Sequence, residues 1–165
     1  MSLHDELVEL AAGMDVPEGF RADAQGEVII VSPQRPEHWR IISDIDFCIR
    51  LNAPNLRTTS DVKIPGTGEH DKAPDFGLFY KNAELHASKA LAFVEVVSQS
   101  SRETDYVDKT RIYASAGVPE YLIVDPERAV WTLNTTPTAD GYRTTLTKPI
   151  ETPVEIAGVQ VELGR

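Results

Sequence analysis

The sequence predicts an α/β domain: a mixed central β-sheet flanked by α-helices, with additional β-hairpins. Three observations carry this. Helical patterns with apolar residues three and four apart alternate with short apolar runs of strand length. The segments run helix, strand, helix, several strands, helix, strands, which suits a sheet covered by helices. The 165 residues hold no repeat, low-complexity stretch or linker, so 1–165 is expected to be a single domain around one core.

Each element has its own signal. Ser2 and Asp5 have capping-box spacing, Leu3, Leu7 and Leu10 form a stripe, and Gly13 closes the helix. A strand is expected from Glu27 to Val31, before Pro33 and Pro36 break it. The spacing of Trp39, Ile42, Ile45 and Ile49 predicts a helix from Pro36 to Leu51. "RTTSDVKIP" and "PDFGLFY" read as strands around the loop "GTGEHDK". "NAELHASK" is a turn region, and Leu91 to Val97 is a strand apolar on both faces except at Glu95. Ser100 and Glu103 suggest a second capping box, opening a helix to Ala116 that Gly117 and Pro119 end. "EYLIVDP" is another buried strand. "AVWTLN" and "YRTTLT" form a hairpin around Asp140-Gly141, and "VEIAGVQVEL" a last strand or hairpin.

The composition is that of an ordinary globular protein, 41% hydrophobic and 25% charged. No apolar run approaches the roughly 20 residues of a membrane helix. The acidic, amphipathic start lacks a secretion-signal pattern, and the single Cys48 allows no internal disulfide. A cytoplasmic location is the expectation, with no membrane partner. The formal net charge of −10 opposes general affinity for nucleic acid, since phosphate contacts need Lys and Arg. Exposed charges are largely screened beyond about 8 Å at physiological salt, so a local basic patch remains compatible with a nucleic-acid substrate. Arg35, Arg40, Arg102 and Lys109 are the candidates for such a patch.

Three ionisable groups stand where local rules do not place them. Asp75 opens one strand, and Glu95 lies inside another on the face of Leu91, Phe93 and Val97. Lys109 follows on a helix, three residues after Tyr106 and four before Tyr113. Two carboxylates on neighbouring strands can hold a hard divalent cation, and a nearby ammonium can orient water or stabilise phosphate charge. That chemistry suits phosphodiester hydrolysis. Each residue also has an ordinary reading. Asp75 after a proline is a common turn residue. Glu95 can form a structural ion pair, and Lys109 a solvated surface pair with Asp105 one turn earlier. Ser98 ends a strand and lacks the glycine-rich elbow of a nucleophile. The four histidines lack metal-ligand spacing, and no phosphate-cradling glycine motif is present.

"GEVIIVSPQRPEHWRI" at 26–41, "APD" at 73–75, "FVEVVSQSS" at 93–101 and "DYVDKTRIYASAGVPEYLIVDP" at 105–126 resemble the Uma-type restriction endonucleases, a family of the PD-(D/E)XK nuclease superfamily. The resemblance implies a restriction-endonuclease-like core and a magnesium-dependent DNA endonuclease, with manganese as an alternative ion. It assigns Asp75 and Glu95 to the metal, Glu27 as an added metal ligand, and Lys109 to catalysis. His38 and Ser98 are accessory candidates. Two residues after Glu95, where the superfamily lysine stands, this chain has Val97, and Lys109 resembles a lysine moved to the next helix. A non-cleaving interaction module on the same fold, and a metal-dependent hydrolase of a small phosphorylated molecule, stay open as alternatives. A homodimer is expected by analogy with enzymes that cut two strands.

Overall fold

The computed structural model describes residues 2–17, 20–33 and 36–164. They form two compact units, residues 1–39 and 40–165, and the division falls inside one helix.

The first unit holds α1 (Leu3–Ala12) and a hairpin of β1 (Phe20–Gln25) with β2 (Val28–Pro33). Ser2 and Asp5 form the expected capping box, each side chain accepting the other's backbone N–H. The apolar stripe is less buried than its spacing implies. Ala11 is buried and Leu7 half-buried, but Leu3 and Leu10 are exposed. Strand β1 has no counterpart in the expected element order. Gly26, at φ +62°, and Glu27 form the tight turn that pairs Gln25 with Val28, so Glu27 precedes the strand it was expected to open.

Helix α2 (Pro36–Asn52) spans the division. Its buried stripe is Ile41, Ile42, Ile45 and Ile49, while Trp39 is 66% exposed and lies off the stripe. In the second unit a six-stranded sheet has the order β3 (Leu56–Thr59), β4 (Phe76–Tyr80), β5 (Ala90–Val96), β6 (Glu120–Asp125), β7 (Val130–Thr138), β8 (Gly141–Pro149). Only β5 and β6 run parallel; every other neighbouring pair is antiparallel. A parallel pair needs a crossover. Here it is a π-helical segment (Thr104–Lys109) running directly into α3 (Thr110–Ser115). A final hairpin joins β9 (Val154–Ile156) to β10 (Val159–Val161) through Ala157 and Gly158, both at positive φ.

The sheet separates two cores. On one face the four α2 isoleucines meet Phe76, Leu78, Val94, Val96, Leu122, Val124 and the β9–β10 hairpin. On the other, Phe79, Phe93, Tyr113, Tyr121 and Ile123 pack together under the crossover. Alternation along β5 turns Phe93, Glu95 and Val97 toward this second, aromatic face. Among the described residues, no helix is long and apolar enough to cross a membrane.

Candidate functional site

Strand register builds the site. Phe76 pairs with Val94 in an antiparallel ladder, so one step beyond it Asp75 faces Glu95 across the β4–β5 edge. The two residues are interlocked through the backbone. Val96 N–H donates to Asp75 Oδ2 at 2.8 Å, and Asp75 N–H donates to Glu95 Oε2 at 3.3 Å. Ser60 Oγ donates to the Asp75 carbonyl, and Asp61 N–H to the Pro74 carbonyl, fixing the chain that leads in. Gly77 lies between Asp75 and Phe79 on the same strand face. A Cβ there would meet Thr59 Oγ1 at 2.5 Å, so only glycine lets β3 approach this closely.

The crossover supplies the rest. Lys109 Nζ sits 3.0 Å from Glu95 Oε1 and 2.8 Å from Asp105 Oδ1. The Tyr113 hydroxyl donates to Glu95 Oε1 at 2.9 Å. Tyr113 is held edge-on between Phe93 and Tyr121, with both ring centroids 4.9 Å away. Burial and the nearby carboxylates push both tyrosines well above their ordinary values, so their hydroxyls stay donors. Tyr106, on the same helix, turns elsewhere and donates to Asp125 Oδ2.

Glu95 is 1% exposed. Burial pushes its carboxyl up to about 8, and the Asp75 charge adds to the rise while Lys109 opposes it. Burial also raises Asp75 to about 6, against hydrogen bonds from Val96 and Glu95. For Lys109, burial works to lower the ammonium's value, but Glu95 and Asp105 more than offset it and hold it above the usual lysine range. Glu95 thus keeps its proton to about 8, and only above that does the carboxylate pair carry more negative charge than Lys109, shared with Asp105, balances. Its chemistry fits a hard divalent cation, which prefers oxygen ligands. Among the described residues no cluster of three His, Cys, Asp or Glu side chains is arranged to hold a metal. Two carboxylates suit magnesium, which keeps several waters and borrows substrate phosphates as ligands.

The structure thus brings Asp75, Glu95 and Lys109 together. Glu27 and His38 belong to the first unit, Glu27 exposed in the hairpin turn and His38 half-buried in the first turn of α2. Ser98 lies just past β5 and bonds Ser101 rather than the carboxylate pair. That serine turn also replaces the expected Ser100–Glu103 capping box at the helix start, because Ser101 is the side chain that reaches forward, to Asp105.

Two expectations change. Asp105 is not a solvated surface partner: it is 1% exposed, ion-paired to Lys109, and accepts Ser101 Oγ–H at 2.7 Å. The signal for it was its spacing of four from Lys109, but helical spacing alone does not tell a buried pair from an exposed one. Arg102 is not a free phosphate contact either. Its guanidinium pairs with the buried Asp125 and with Glu127, pinning the crossover to the end of β6. Arg40 is exposed beside Asp44, and Arg35 lies outside the described residues.

A family model described as "Uma2: Putative restriction endonuclease" matches residues 7–163. A crystal structure described as a "putative nuclease belonging to DUF820" from Anabaena variabilis superposes with a TM-score of 0.58 at 16% identity, covering 94% of this chain and 89% of that one. At that identity the likeness shows a shared fold. No curated protein matches the chain significantly.

Proposed function

Since this chain belongs to the Uma2 family of restriction endonuclease-like proteins, we propose that its Asp75–Glu95–Lys109 site hydrolyses phosphodiester bonds in DNA with magnesium, or manganese, as cofactor. The observation that carries the reading is the meeting of two interlocked carboxylates and one ammonium where β4 begins beside β5. Asp75 and Glu95 would hold the ion. When bound, it would supply Lewis-acid stabilisation of the phosphate and a more acidic water. Lys109 then has two tasks suited to its position. Its ammonium offsets carboxylate charge, and its outward donor can orient a water or stabilise charge on a phosphate oxygen. Tyr113 fixes the Glu95 carboxylate by its hydrogen bond, and the aromatic stack behind it excludes water from the inner side.

Plasmid and single-stranded DNA, incubated with magnesium or manganese, test this. Cleavage is expected from the natural protein and none from Asp75→Asn. Equal cleavage by both would place the activity elsewhere. A second reading, hydrolysis of a small phosphorylated molecule, is favoured by one observation. The chain's charge is −10, and Arg102, a candidate phosphate contact, is bound to acidic partners. Metal-dependent turnover of a small phosphodiester, with no DNA cleavage, would select it.

A further inference from the structure

We infer that Asp105 is a positioning residue, a second anchor that keeps the Lys109 ammonium at the site when Glu95 no longer holds it. The inference rests on the proposed reading only for its catalytic consequence; the anchoring itself follows from geometry.

Asp105 lies on a helix between exposed neighbours, Thr104 on one side and Val107 and Asp108 on the other, yet it is 1% exposed. A buried carboxylate is retained only with strong partners. Every partner here serves its orientation. Ser101 Oγ–H donates to Oδ2 at 2.7 Å, and Lys109 lies 2.8 Å from Oδ1. The backbone is fixed as well. The Asp105 carbonyl accepts the Tyr121 hydroxyl at 2.9 Å and the Thr110 hydroxyl at 3.2 Å. This happens inside a π-helical segment, a rare form that occurs mostly as single turns, often at functional sites.

Lys109 is therefore bridged between two carboxylates of different kinds. Glu95 belongs to the pair suited to a cation, and a cation drawn to Glu95 competes for the charge that holds the ammonium. Asp105 stands outside that pair, so its hold persists. The ammonium lies within ion-pair distance of both carboxylates, and its partly exposed side leaves it accessible to a substrate. Without Asp105, Lys109 would be ordered only while Glu95 is free.

Order at the Lys109 ammonium, read by side-chain NMR on lysine labelled with 15N, tests the anchor directly. In Glu95→Gln, which removes the Glu95 hold on the ammonium without any metal, Lys109 is expected to stay as ordered as in the natural protein. In Glu95→Gln with Asp105→Asn, its order parameter is expected to fall to about half. Glu95→Gln with Ser101→Ala, a milder change that leaves the Asp105 charge in place, should give an intermediate loss if the first double variant does not fold. Lys109 order that survives in Glu95→Gln with Asp105→Asn, or that is lost in Glu95→Gln alone, overturns the proposal. These arms need neither metal nor cleavage, so they stand if the nuclease reading fails. In a protein that cleaves DNA, Asp105→Asn should lower kcat on the order of 100-fold with magnesium affinity within about threefold of the natural protein. Reduced affinity with unchanged kcat would instead make Asp105 a part of the metal site and overturn the anchor.

Discussion

Glu95 lies in the middle of an apolar strand because the strand's inner face is not only a core. Its carboxylate accepts from Tyr113 and Asp75 N–H and pairs with Lys109, yet burial still holds its proton on to about 8. Both Glu95 and Asp75 have folded-state values above the ordinary carboxylate range. Their contribution to stability is thus fully present below that range, and in metal-free protein it is lost as pH rises through about 6 and then about 8. Glu95→Gln should raise the metal-free melting temperature at pH 8.5 and flatten its fall between about pH 5 and 9. An unaltered slope would mean that the Glu95 charge is already balanced. Lys109→Ala should lower cleavage by a factor on the order of 100 or more while metal binding survives, because ammonium is no ligand for a hard cation. Parallel cleavage and calorimetric titrations of that variant check both halves.

At the scale of elements, most of what positions the site was legible. The Ser2–Asp5 cap, the α2 isoleucines, the strand at Glu95 and the Gly117 helix stop all follow from local chemistry. Asp75 and Glu95 could be placed on neighbouring strands, but only the observed ladder sets them opposite each other. Three features escaped. Strand β1 alternates Phe20, Ala22 and Ala24 with polar residues, and alanine is a weak strand signal. The π-helical segment has no sequence rule, and the hydroxyls that hold its Asp105 carbonyl come from Thr110 on the same helix and from Tyr121 on β6. The burial of Asp105 depends on Ser101 and the sheet beneath it, which spacing along a helix does not reveal. Gly77 gives this scale its test. Gly77→Ala places a methyl 2.5 Å from Thr59 Oγ1 and 3.2 Å from the Phe79 ring, so these side chains or the strands that carry them must shift. Thermal melts should show a loss of about 1–3 kcal/mol, with weaker metal binding as Asp75 moves. A variant as stable as the natural protein would show that the β3–β4 edge yields freely.

For the whole molecule, the fold and the charge pull in different directions. The family and the mixed six-stranded sheet are those of nuclease-like proteins, while the chain carries a net charge of −10. The two agree if DNA is held through the cation and a few local groups rather than a broad basic surface. Binding measured at increasing salt should then require magnesium or manganese, and should weaken steeply with a slope that reports only a few phosphate contacts. Binding that ignores both ion and salt would favour a protein partner. The most direct test of the central claim is calorimetric titration of manganese into the natural protein and into Glu95→Gln. The site described here predicts uptake by the natural protein that tightens as pH rises from about 6 to about 8, as both carboxyls lose their protons, and little or no uptake by the variant. Equal uptake by the two proteins, or none by the natural one at pH 8, would contradict it.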